Sequence, residues 1–270
     1  MKETTDQILA LLKIAEIAAH KAGDYLLNKI GKAKVKDQKS TLDDLLDADL
    51  EAEQILLTEL REETPHMGIL SEEIGHQGRQ DHYWIIDPLD GSANFQHGNP
   101  TFAIAIALVI NQTTQGSVIL LPASHETFTA VYNQGAYLNG TPIAVSDIAT
   151  LDKAILHIGD PQKEGKLQIT NERLKDLLTI APKTRRIRMI GSAATDLAYV
   201  ASGRAEALIN YAKSSWDIEA GKLLLVEAGG KVTTKQYDNG EILSIYSNGY
   251  VHQVISDLFA QNTISRKEEC

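Results

Sequence analysis

The stretch that most constrains the chain is residues 83–100, Tyr-Trp-Ile-Ile-Asp-Pro-Leu-Asp-Gly-Ser-Ala-Asn-Phe-Gln-His-Gly-Asn-Pro. Tyr83, Trp84, Ile85 and Ile86 form a short apolar run of β-formers, which predicts a buried strand that fixes whatever follows it. Asp87 and Asp90 come next and flank Pro88-Leu89. Proline has no N–H for a strand ladder, so this spacing predicts a sharp turn where two carboxylates leave the sheet aimed at one point. Carboxylates held that close repel unless a cation sits between them or one takes up a proton, and an oxygen-only site is what Mg²⁺ prefers. Gly91 leaves room for a ligand against the backbone, and Ser92 stands at a predicted helix start whose free N–H groups face an anion. A carboxylate-bound metal beside a helix N-terminus suits phosphate. Taken alone, Asp-x-x-Asp is better explained as an acidic turn with a serine cap.

The chain is long enough to bury a sizeable core: 270 residues, 43% of them hydrophobic. Its formal net charge of −10 opposes non-specific binding to nucleic acid polymers or anionic membranes and leaves small molecules as the expected partners. Cys270 is the single cysteine, which excludes an intrachain disulfide and fits a reducing compartment. No apolar run reaches the length of a membrane span, and the first residues open into an amphipathic pattern without a signal-peptide core. A cytoplasmic location is expected.

Apolar residues at helical spacing predict a long helix over residues 5–29 and a second one carrying Leu50, Ile55, Leu56, Leu57 and Leu60. Asp47 or Asp49 can cap the second helix. Residues 32–40 read as a polar strand or loop, and residues 68–70 as a short buried strand running into Ser71-Glu72-Glu73. Beyond the acidic stretch the pattern turns strongly β, with strands over 102–110, 117–121 and 127–132, turns over 111–116 and 122–125, and a hairpin-like 135–140. From about residue 145 strands alternate with helices: strands 154–158, 185–190 and 207–211, helices 171–180, 194–201 and 217–228. The expected organisation is therefore an N-terminal α+β lobe, residues 1–146, and a C-terminal α/β lobe, residues 147–270. His97, His125 and His157 lack metal-ligand spacing and read as surface or polar-core histidines. Lys183, Arg185, Arg186 and Arg188 read as a solvated strand face.

Asp87-Pro88-Leu89-Asp90-Gly91-Ser92-Ala93-Asn94-Phe95 closely resembles the signature of the inositol monophosphatase family, with Ser92 where the usual form has threonine. Three further segments match in order: residues 43–49, with Leu46 in place of a threonine; Ser71-Glu72-Glu73; and Trp216-Asp217-Ile218-Glu219-Ala220-Gly221 through Glu227-Ala228-Gly229-Gly230. The resemblance implies a layered αβαβα sandwich of the inositol monophosphatase and fructose-1,6-bisphosphatase type, two or three Mg²⁺ ions, inhibition by lithium and a homodimer. One metal would be held by Glu72, Asp87 and the Leu89 carbonyl, and a second by Asp87, Asp90 and Asp217. Ser92, backed by Asp49, would orient the attacking water on the metal that Glu72 helps to hold, while the Gly91 and Ser92 N–H groups hold the phosphoryl oxygens.

Gly191-Ser192-Ala193-Ala194, between a strand and a helix, would touch the alcohol portion of the substrate. The implied activity is hydrolysis of a small phosphorylated alcohol, inositol monophosphate or a related sugar phosphate. Asn210 departs from the pattern, because inositol phosphatases usually carry glutamate six residues before the tryptophan; Lys213 lies in the same loop. Loss of a carboxylate beside an ammonium favours a second phosphate, which raises the alternative of a 3′(2′),5′-bisphosphate nucleotidase. A non-catalytic binding homologue would be expected to lack a metal ligand, and all are present here.

Overall fold

The computed structural model describes residues 3–40, 43–211, 214–236 and 242–268. Helix α1, Thr5–Lys29, starts at a reciprocal cap in which the Thr4 side chain accepts from the Gln7 N–H and the Gln7 side chain accepts from the Thr4 N–H. Its buried stripe of Ile8, Leu12, Ala15, Ala18, Ala19, Ala22 and Leu26 lies at the predicted spacing. Strands β1, Val35–Ser40, and β2, Asp43–Leu46, pair antiparallel and lead into α2, Asp47–Glu63.

An eight-stranded sheet follows. It is built from β3, Gly68–Ser71; β4, Gly75–Gln77; β5, His82–Asp90; β6, Ala103–Ile110; β7, Thr113–Leu121; β8, Glu126–Val131; β9, Gly135–Leu138; and β10, Thr141–Ile143. Its order is β10-β9-β8-β7-β6-β5-β3-β4, with a short helix α3, Ser92–Gln96, between β5 and β6. Every residue of β6 is buried, as a strand covered on both faces requires. The turn expected over 111–116 shrinks to Asn111 and Gln112, both at positive φ (50° and 63°), because β7 already begins at Thr113. That is the two-residue hairpin geometry that matches strand twist.

The second sheet has five strands in the order β12-β11-β13-β15-β14: β11, Ile155–Ile158; β12, Arg186–Arg188; β13, Ala207–Asn210; β14, Lys231–Gln236; and β15, Ile242–Ser247. Helices α4, Leu167–Ile180; α5, Ala193–Ala201; α6, Ser215–Glu227; and α7, His252–Glu268 complete the chain. Strands β14 and β15 and helix α7 go beyond the elements read from the pattern, where residues 231–236 alternate little and are mostly exposed. Exposed Arg186 and Arg188 sit on edge strand β12, where charge discourages pairing with another chain.

Three apolar clusters define five layers. The first joins α1 and α2 to one face of the large sheet through Leu12, Leu26, Leu56, Trp84 and Ile106. The second joins its other face to α5 and α6 and, beyond them, to the small sheet, through Ile85, Ala105, Leu197, Leu224, Leu208 and Tyr246. The third packs α4 and α7 on the far face of the small sheet. The architecture is the αβαβα sandwich, and the middle cluster draws side chains from both sides of residue 146.

Candidate active site

The site starts from an irregularity in β5. The expected sharp exit at Pro88 does not occur: the strand continues to Asp90 through a bulge in which Asp87 pairs with Ala105 and Asp90 with Ala103. Pro88 and Leu89 together oppose Ile104 alone, which accommodates the proline without a ladder bond. In a regular strand, residues three apart point to opposite faces. The extra residue returns Asp90 to the face of Asp87, the one shared with Ala103 and Ala105 and covered by α5 and α6. Both carboxylates thus face the middle layer, and the Leu89 N–H donates to Asp87 Oδ1 at 3.1 Å.

Gly91 ends the strand with φ +91°, and a Cβ there would lie 3.1 Å from the Thr101 carbonyl oxygen and 3.2 Å from that of Gly191. Only glycine meets both demands. Ser92 is the first residue of α3. Asn94 then ties the signature to the loop between β12 and α5, its Nδ2 donating to the carbonyls of Thr101 at 2.9 Å and Ile190 at 2.8 Å.

Asp87, Asp90, Leu89, Gly91 and Ser92 line one cavity of about 470 Å³ with Asp49, Glu72, Gly191, Ser192, Ala193, Asn210 and Asp217. All the described residues expected to act as ligands, catalysts or substrate contacts therefore meet there; Lys213 lies outside the described residues. Asp49 is the third residue of α2, buried, and accepts from the Leu46 N–H at 2.7 Å. Asp47, the alternative cap, instead accepts from the Lys34 N–H at 2.8 Å. Asp217 is not the cap of its helix. Ser214 occupies that position, and Asp217 sits in the first turn.

The turn over 191–194 does two things. Ser192 caps α5 by accepting from the Thr195 N–H, and its Oγ donates to Asp90 Oδ2 at 2.5 Å. The N–H groups of Ala193 and Ala194 donate to the same carboxylate at 3.2 and 2.8 Å. Part of this expected substrate turn is thus engaged with a carboxylate of the large sheet. Asn210 is buried, its Oδ1 accepting from the Tyr211 N–H at 2.8 Å and lying close against Gly159.

The electrostatics bear on which group the cavity suits. Burial, reinforced by Asp90, Asp217 and Glu72, holds the Asp87 carboxyl well above its ordinary value. Burial pushes Asp90 up to about 6, against the opposing hydrogen bonds from Ser192, Ala194 and Ala193. A divalent cation among these carboxylates would remove that cost, and the acidic donors are oxygen only, as Mg²⁺ requires. The described residues do not close into a preformed cage of three or more acidic, His or Cys ligands. The fit therefore rests on this donor chemistry.

Four lining residues escaped the pattern reading: Gly159, Asp160, Asp196 and Ser214. Strand β11 is parallel to both β12 and β13, and Gly159-Asp160, Gly191 and Asn210 lie at or just beyond the carboxyl ends of the three strands. Ligands gather at that edge of α/β sheets, which is the signal that could have found them. Asp196, one turn into α5, pairs with His157 at 2.6 Å, both nearly inaccessible. His157 is accordingly a polar-core residue, as its isolation predicted.

An αβαβα sandwich that brings the carboxylates of a bulged strand together with those of α2, the β3–β4 corner and α6 has the architecture and the acidic site of a phosphatase. The inositol monophosphatase family profile matches residues 8–262. A Pseudomonas aeruginosa protein called Nus factor SuhB is 38% identical over 229 residues, covering 83% of this chain and 84% of the relative. A Thermotoga maritima protein called fructose-1,6-bisphosphatase/inositol-1-monophosphatase is 34% identical over 239 residues, covering 87% and 90%. The crystal structure of the Bartonella henselae extragenic suppressor protein SuhB superposes with a TM-score of 0.85 at 34% identity, covering 92% of this chain and 98% of that one. The chain belongs to the inositol monophosphatase family, whose members are metal-dependent phosphatases.

Proposed function

We propose that the chain is a Mg²⁺-dependent phosphomonoesterase acting on the monophosphate of a small neutral polyol. The observation that carries this reading is the lining of the cavity: seven carboxylates, Asp49, Glu72, Asp87, Asp90, Asp160, Asp196 and Asp217, with no lysine, arginine or histidine among the described residues. The metal ligands account for four of them. Of the others, Asp160 lies at the edge where the expected alcohol contacts Gly191, Ala193 and Asn210 lie, while Asp196 is already paired with His157. Carboxylates accept hydrogen bonds from hydroxyl groups and repel a second phosphate, so this edge favours a polyol.

Ions held by Glu72, Asp87 and the Leu89 carbonyl, and by Asp87, Asp90 and Asp217, would supply water activation and neutralise charge on the leaving oxygen. The Ser92 hydroxyl orients the attacking water, with Asp49 as its acceptor. The Gly91 and Ser92 N–H groups hold the phosphoryl oxygens. Asn210, held in place by the Tyr211 N–H, orients the alcohol. Ser192 and the first amides of α5 keep Asp90 aimed at the site from across the sandwich.

Phosphate release from inositol 1-phosphate, histidinol phosphate, fructose 1,6-bisphosphate and 3′-phosphoadenosine 5′-phosphate, with Mg²⁺ and with excess chelator, tests the reading. Inositol 1-phosphate is expected to give the highest kcat/KM. Preference for the bisphosphonucleoside would replace the polyol assignment with the nucleotidase one, and undiminished activity in chelator would refute the metal. The name Nus factor belongs to the relatives that carry it. For this chain a net charge of −10 supports a small-molecule partner over a nucleic acid polymer. No helix among the described residues is long and apolar enough to cross a membrane. A cytoplasmic homodimer remains the family expectation, which light scattering of the purified chain tests.

A further inference from the structure

Glu53 is a buried carboxylate that the mechanism above does not use. It lies one turn beyond Asp49 on α2 and is 4% exposed. Residues four apart share a helix face, so the face of α2 that presents Asp49 also presents Glu53. The fully buried Ser71 donates its hydroxyl proton to Glu53 Oε1. The backbone N–H of Glu73 donates to the same carboxylate. The two donors bracket Glu72.

Ser71 is the last residue of β3, paired with Ile86 on β5 and with Gly75 on β4. Only Glu72, Glu73 and Ile74 separate β3 from β4, and Gly75 closes the corner at φ +65°. Glu72 therefore stands at the apex of a tight corner whose two flanking positions are fastened to α2. We infer that Glu53 is a positioning residue that locks the Ser71–Glu73 corner onto α2 and so presets Glu72 for the metal. A carboxylate suits this task because it accepts from a hydroxyl and an amide at once, whereas a carboxamide has a single accepting oxygen for the two donors. Residues that hold a metal ligand in place typically set metal affinity by 10- to 100-fold.

The inference rests on the metal reading of the site, and the test separates the two. Mg²⁺ binding is measured by calorimetry on the substrate-free chain, for wild type, Glu53→Gln and Ser71→Ala. Both variants are expected to weaken the Glu72 site about 10-fold or more, while kcat at saturating Mg²⁺ and KM for phosphate ester stay within about threefold. Because both changes break the same clamp, the double variant should bind no more weakly than Glu53→Gln alone. A purely structural role would lower the thermal midpoint in chelator and leave the Mg²⁺ dissociation constant untouched. Dissociation constants within twofold of wild type in both variants overturn the inference and leave the metal reading standing. A wild-type chain that binds no Mg²⁺ overturns both. If Glu53→Gln does not fold, Ser71→Ala decides alone, since it removes one donor and keeps the charge.

Discussion

Replacing Asp90 by asparagine should flatten the pH dependence of the metal-free chain's stability. Burial moves the Asp90 carboxyl from 3.8 to about 6, outweighing the hydrogen bonds from Ser192, Ala194 and Ala193. Between those two values the folded chain keeps a proton that the unfolded chain has released, so the free energy of unfolding falls as pH rises. The contribution is fully present below the unfolded value and is lost as pH passes the folded one. The gap corresponds to about 3 kcal/mol. Asparagine keeps the shape and can still accept from the Ser192 hydroxyl and the Ala194 N–H, but it does not titrate.

The assay is urea unfolding in chelator at intervals from about pH 4 to about pH 7.5, comparing Asp90→Asn with wild type. Glu53 and Asp196, raised by burial, and His252, lowered by burial, also bend the wild-type curve. Glu53 and His252 are common to both proteins and cancel in the difference, whereas Asp196, which helps to raise Asp90, and Asp87, which Asp90 helps to raise, add to it. Wild type should lose about 3 kcal/mol relative to the variant across this range, and excess Mg²⁺ should restore it in wild type only. Parallel curves in chelator would refute the reasoning, because they would mean that Asp90 is already ionised at no cost without metal.

Ser92→Ala should lower kcat by roughly 100-fold or more with little change in KM, since the hydroxyl acts on the water; a rise in KM alone would make it a binding residue. Gly159→Ala would place a Cβ 2.7 Å from Asn210 Oδ1 and push the amide from its seat. KM for a polyol phosphate should rise about 5- to 10-fold, on the scale of one hydrogen bond, with kcat nearly unchanged. Gly221→Ala would drive a Cβ to 2.4 Å from Leu197 Cδ1 between α5 and α6, costing roughly 1 to 3 kcal/mol, read as a lower urea midpoint at unchanged slope.

Much of the site was legible because its chemistry is local. The run from Tyr83 to Ser92 carries strand, carboxylates, glycine and hydroxyl within ten consecutive residues, and the apolar spacing of α1 and the continuous run of β6 name their layers without help from the rest of the chain. Three features depend on residues far apart in sequence. Asp87 and Asp90 share a face only because Ile104 opposes two residues of β5, a register set by the pairing of whole strands and invisible in Asp-Pro-Leu-Asp itself. Asp90 is clasped by Ser192, Ala193 and Ala194, and Glu53 by Ser71 and Glu73, through contacts that form only when the layers stack. Asp160 and Asn210 reach the cavity because β11, β12 and β13 run parallel and end at one edge, and Asp196 because α5 starts just beyond it. Pattern and propensity report how a segment meets its own neighbours, whereas the aim and the acidity of a buried carboxylate are set by whatever the fold packs against it.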